Sequence, residues 1–103
     1  MIEKIYQVLL KKYKVKKIID HKDPKLSVYT NSFCFIISDY NNLITIRLVG
    51  PYFRKATINK DTFEIDNSIS SSLPFFNNEE FIEVINETKK AMLPNSVKFI
   101  KEL

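Results

Sequence analysis

The run Leu26-Ser27-Val28-Tyr29-Thr30-Asn31-Ser32-Phe33-Cys34-Phe35-Ile36-Ile37-Ser38-Asp39-Tyr40-Asn41-Asn42-Leu43-Ile44-Thr45-Ile46-Arg47-Leu48-Val49-Gly50 decides the fold class. Leu26, Val28 and Thr30 alternate with Ser27, Tyr29 and Asn31, the period of two that gives a strand one buried face. Phe33 to Ile37 is apolar at every position, so it reads as a central strand with apolar side chains on both faces. Asp39-Tyr40-Asn41-Asn42 reads as a turn, because Asp and Asn bond to their own backbone and tolerate left-handed geometry. Ile44, Ile46 and Leu48 then alternate with Thr45, Arg47 and Val49, and Gly50-Pro51 ends the strand.

The pattern continues outward on the C-terminal side. A second hairpin is expected from residues 52–58, a turn at Asn59-Lys60-Asp61, and residues 62–65. Connections this short favour antiparallel pairing, since a parallel pair needs a long crossover. Residues 66–74, rich in serine, read as a polar connector returning across the sheet. A second helix follows. Asn77 can cap it, with Glu80 three residues on, and Phe76 and Phe81 form a hydrophobic staple. Its apolar stripe is Phe81, Val84, Ile85, Thr88 and Met92, and Pro94 stops it. The tail after Pro94 alternates loosely and is compatible with an edge strand or a short final helix.

On the N-terminal side, Ile2, Ile5, Tyr6, Leu9, Leu10 and Tyr13 form one stripe of a 3.6-period helix over residues 2–13. Residues 15–19 fit either a short strand or a last helical turn, and residues 20–25, with Pro24, a loop. Two amphipathic helices need an apolar surface, and one face of a sheet supplies it. The expected fold is therefore α+β: an antiparallel sheet of four to six strands with an N-terminal and a C-terminal helix packed on one face. Its core is expected to contain Ile5, Leu9, Phe33, Phe35, Ile37, Ile44, Ile46, Leu48, Phe81 and Ile85.

The 103 residues suit a single domain, and 45% apolar residues make a globular composition. A chain of this size buries about two-thirds of its unfolded surface, so a core alone can hold it. Its start is unlike a signal peptide, no run is long enough to span a bilayer, and the lone Cys34 suits a reducing compartment. The expectation is a soluble, cytoplasmic chain with no membrane partner.

Chemical motifs are sparse. His21 and Cys34 are the single histidine and cysteine, which excludes a zinc site of four nitrogen or sulfur ligands. Asp20, His21 and Asp23 match no known ion cage. Cys34, between Phe33 and Phe35, reads as an inert core thiol. Glu80, Glu83 and Glu87 lie on one helical face, which reads as solvated surface rather than an acid–base pair. One glycine, Gly50, rules out a phosphate-cradling loop and a dinucleotide fingerprint. No cofactor and no enzymatic activity are expected.

Charge is unevenly placed. Residues 1–25 hold eight basic and three acidic side chains, and residues 26–60 hold four and one. Residues 61–76 hold three acids and no base, and residues 77–93 four acids and two bases. Fourteen lysines against two arginines, with fourteen isoleucines and nine asparagines, also read as the codon bias of an AT-rich genome. Two surfaces can carry a partner. The first is the second face of the sheet, with Tyr29, Ile36, Tyr52 and Phe53, fitting another protein or a second copy in a homodimer, the equal alternative being that a connector such as residues 70–76 covers that face. The alternative is a nucleic-acid surface of Lys11, Lys12, Lys14, Lys16, Lys17, Arg47, Arg54 and Lys55, pairing cations with nearby aromatics. The preferred expectation is a non-enzymatic, protein-binding accessory domain. A phage- or mobile-element-encoded inhibitor of a host enzyme or defence complex is one concrete form of it.

Overall fold

Alternating side chains build six strands that pair in chain order. The structure, a computed structural model, describes residues 1–18, 24–50, 54–67 and 78–93. Its elements are α1 (Ile2–Leu9), β1 (Lys14–Ile18), β2 (Lys25–Tyr29), β3 (Cys34–Tyr40), β4 (Leu43–Leu48), β5 (Lys55–Asn59), β6 (Ile65–Asn67) and α2 (Asn78–Met92). The sheet order is β1-β2-β3-β4-β5-β6, and every neighbouring pair is antiparallel. This is the expected α+β fold, at the upper end of the expected strand count. Of the segment at residues 15–19, compatible with helix or strand, residues 15–18 form the edge strand β1 and residue 19 lies outside the described residues.

The core lies between one sheet face and the two helices. Leu26, Val28, Phe35, Ile37, Ile44, Ile46, Leu48, Ala56 and Ile58 point up from the sheet, and Ile5, Leu9, Phe81, Val84, Ile85 and Met92 point down from the helices. Phe35 stacks on Phe81 with ring centroids 5.4 Å apart and planes within 7°, tying the central strand to α2. Nine of the ten expected core residues are buried; Phe33 is half-buried and packs against the core margin. It precedes β3 and lies 6.2 Å from Phe35, tilted by 55°.

Three of the boundaries that differ from expectation have a visible local reason. The first helix ends at Leu9 rather than Tyr13. Past that end the N–H groups of Lys12 (3.0 Å) and Tyr13 (2.8 Å) both donate to Leu9 O, closing the turn that leads the chain into β1. Leu10 is consequently exposed. Asp39 and Tyr40 belong to β3, and the turn shrinks to Asn41-Asn42, where Asn41 takes a left-handed φ of 54°. The last strand begins at Ile65 rather than at residue 62. Asn59 Oδ1 accepts the N–H groups of Asp61 (2.8 Å) and Thr62 (3.0 Å), and Phe63 adopts φ 61°. That wider turn postpones pairing and moves Asp66 and Asn67 from the expected connector into the sheet. At Gly50, φ is +150°, a conformation that glycine adopts without strain.

A polar clamp joins two turns on the same side. Lys60 Nζ donates to Asp39 Oδ1 and to Asn41 O (3.1 Å), and Asn42 Nδ2 donates to Asp61 Oδ2 (2.9 Å). The Lys60 and Asp39 side chains are only 21% and 15% exposed, so this ion pair is shielded far better than a surface one.

The helix α2 carries Glu79 and Glu80 in its first turn and Lys89 and Lys90 in its last, matching the helix dipole. Thr88 sits in the buried stripe because its hydroxyl donates to Val84 O (2.7 Å). Glu80 braces the fold across elements, accepting from Thr30 Oγ1 (3.0 Å) and the Ser32 N–H (3.3 Å). The expected cap and staple at Asn77 and Phe76, the connector at residues 68–74 and the tail after Pro94 lie outside the described residues.

Candidate binding face

Strand alternation, fixed by the buried set, determines what the sheet presents on its other side. That open face carries Lys14, Lys16 and Ile18 from β1; Lys25, Ser27 and Tyr29 from β2; and Cys34, Ile36, Ser38 and Tyr40 from β3. It continues with Leu43, Thr45 and Arg47 from β4, Lys55 and Thr57 from β5, and Asp66 from β6. The register aligns Lys16, Ser27, Ile36, Arg47 and Lys55 into one rung across five strands. At about 4.8 Å per strand spacing, that rung spans about 19 Å between its terminal cations.

Ile36 occupies the middle of the rung. Ser27 is one Cα partner and Arg47 the other; Ser38, Thr45 and Thr57 form the adjoining rung. Ile36 is half-buried and Ser27 is 8% exposed, on a face without a helix among the described residues. Tyr29 is 39% exposed, with the Lys16 ammonium 5.9 Å from its ring centroid. Cys34, also half-buried, lies on this face rather than in the core; burial pushes its thiol up and the hydrogen bond with Tyr29 opposes the shift.

Five cations, Lys14, Lys16, Lys25, Arg47 and Lys55, therefore share the open face with one carboxylate, Asp66, among its described strand residues. The cations form two banks, one on β1 and β2 and one on β4 and β5, with Ile36 and the hydroxyl side chains between them. Net positive charge on one face attracts acidic groups over a Debye length of about 8–10 Å at physiological salt.

The expected sites are only partly brought together. Tyr29 and Ile36 share the open face; Tyr52 and Phe53 lie outside the described residues. The anticipated lysine cluster is divided among several surfaces. Lys14 and Lys16 point to the open face, whereas Lys17 points to the helix side, where it pairs with Glu3 (2.5 Å) and lies 4.5 Å from the Tyr6 ring. Lys12 reaches α2, pairing with Glu83 (3.0 Å) and Glu87 (3.6 Å), and Lys11 is exposed in the turn after α1. Arg54 is corrected outright as a surface phosphate ligand: it is 1% exposed. Lys25, at the start of β2, completes the face and is half-buried. Its position follows from the Lys25↔Ser38 register, which the loop assigned to residues 20–25 concealed.

The acidic face of α2 is likewise a seam rather than a free ridge. Tyr13 Oη donates to Glu83 Oε1 (2.5 Å), Lys12 bridges Glu83 and Glu87, and Lys90 pairs with Glu87 (3.5 Å). Burial and the Glu83 carboxylate raise the Tyr13 phenol above its ordinary value, and the Tyr13 and Lys12 contacts hold the Glu83 carboxyl below its own. Lys12, Tyr13 and Glu83 line a polar cleft with Lys14, Tyr29, Thr30, Asn31 and Glu80, in which Lys12 and Tyr13 bond Glu83 and Thr30 bonds Glu80. Among the described residues, no three His, Cys, Asp or Glu side chains gather as metal ligands, and no helix is long and apolar enough to cross a membrane.

Compared with protein-family models, curated proteins and solved structures, the chain has no match in any of the three. The face itself is therefore the basis for a functional reading.

Proposed function

We propose that this chain is a non-enzymatic binding domain that docks another protein on the open face of its sheet. The observation carrying the reading is the arrangement around Ile36: an aliphatic centre on the middle strand, Tyr29 and Arg47 beside it, and lysines toward both margins. Protein interfaces combine a desolvated centre with a polar rim, and Tyr and Arg are enriched among their energetically dominant residues. A nucleic-acid partner is less well supported. Single-strand binders stack successive bases on neighbouring aromatic rings, whereas the two tyrosines of this face, Tyr29 and Tyr40, stand at opposite ends of it with Ile36 and Ser38 between them.

The test is position-specific photo-crosslinking in the native cell. A photo-reactive residue replaces Ile36 in one variant and Asn86, exposed on α2, in another. The reading expects a discrete protein adduct from position 36, absent from position 86 and lost when Arg47→Glu is added. An adduct of twice the chain's mass identifies a second copy as the occupant. No adduct at position 36, an equal pattern from both positions, or an adduct with nucleic acid overturns it.

A further inference from the structure

Resting on the open-face reading, we propose that the partner meets this face with a carboxylate-rich segment of polypeptide. The charge on the face is organised by register. Lys16 and Arg47 flank the central Ser27 and Ile36, with Lys55 next to Arg47 on the same rung. Lys14 and Lys25 extend the β1–β2 bank to either side of that rung. Asp66 lies on β6, outside both banks.

The groups between the banks match the same ligand. Ser27, Ser38, Thr45 and Thr57 offer short hydroxyl donors, and the Arg47 guanidinium can grip a carboxylate through two parallel N–H bonds. The aliphatic Ile36 suits an acidic polypeptide that also presents apolar side chains, whereas a phosphate backbone offers it little to pack against. The acids of α2 leave this attraction intact: Glu83 and Glu87 are paired with Lys12 and Lys90, and Glu80 accepts from Thr30 and Ser32. An acidic partner is thus drawn to the face that holds five cations and one carboxylate among its described strand residues.

Labelled poly-L-glutamate and labelled oligo-deoxythymidine serve as probes, with binding followed by fluorescence anisotropy across a salt series. Wild type is expected to bind poly-L-glutamate at low salt, more tightly than the oligonucleotide, and to lose it as salt rises. Arg47→Glu with Lys55→Glu should weaken binding at least tenfold while circular dichroism shows an unchanged fold. Lys89→Glu with Lys90→Glu, which changes net charge equally on α2, should leave the affinity within about twofold, a change worth only ~0.4 kcal/mol. No poly-L-glutamate binding at low salt, an equal loss in the α2 variant, or tighter binding of the oligonucleotide overturns the proposal. A position-36 protein adduct without poly-L-glutamate binding sinks the acidic-partner inference alone; loss of both sinks the face as a protein site.

Discussion

Truncating Phe35 to Ala tests the link between sheet and helix layer. Phe35 is fully buried near the start of the central strand β3, stacked at 5.4 Å on the buried Phe81 and 6.2 Å from Phe33. Removing the ring forfeits about 1.5–3 kcal/mol of transfer free energy, and the cavity it leaves raises the total to about 3–5 kcal/mol. A domain of this size has about 5–15 kcal/mol in total, so the loss is a large share of it. At about 4–8 °C per kcal/mol, the midpoint should fall by at least about 12 °C. Chemical denaturation and calorimetry of purified protein would measure it. A cycle of Phe35→Leu and Phe81→Leu isolates the stacked pair, for which a coupling of about 0.5–1.5 kcal/mol is expected. If Phe35→Ala melts within a degree or two of wild type, or if the two Leu substitutions are strictly additive, the stacked ring pair does not join the layers and the core described above is wrong.

Other perturbations read other parts of the molecule. On the proposed reading, Ile36→Asp should leave the isolated chain folded by circular dichroism while abolishing the docking, since an unpartnered charge at an interface centre is costly; an unfolded variant would instead place this face under the chain's own segments. Lys60→Met should cost about 1–3 kcal/mol in urea denaturation by stranding the shielded Asp39 carboxylate, and a change within experimental error would show that the clamp between the two turns is dispensable. Tyr13 should ionise later than an ordinary phenol in an ultraviolet titration, and the late component should vanish in Tyr13→Phe. Because its folded pKa is raised from 10.0, its contribution is present below that pH and is lost as pH rises beyond it. Glu83 has the opposite sign: its pKa is depressed from 4.5, so its contribution is present above that value and fades as pH falls. A stability–pH profile identical in wild type and Tyr13→Phe would rule out the coupling of Tyr13 and Glu83.

The elements legible from sequence alone were those whose burial pattern is periodic and local. Alternation at Leu26 and Val28, at Ile44, Ile46 and Leu48, and the helical stripe from Phe81 to Met92 each specify which side must leave water, whatever they pack against. Together with short connections, they imply an antiparallel sheet with helices on one face. Tertiary structure decided whatever depended on the register between strands or on contacts far apart in the chain. The lysine run is one case: from residue 14 onward the strand pleat sends Lys14 and Lys16 to the open face and Lys17 to Glu3 and Tyr6, so charges adjacent in sequence serve opposite surfaces. Glu80 is another, since its helical spacing cannot show Thr30 and Ser32 waiting fifty residues upstream. Arg54 carries the same lesson from its burial, and the rung from Lys16 to Lys55 exists only because five strands pair in this register. Periodicity determines which face of each element is buried, and pairing determines which open-face residues become neighbours.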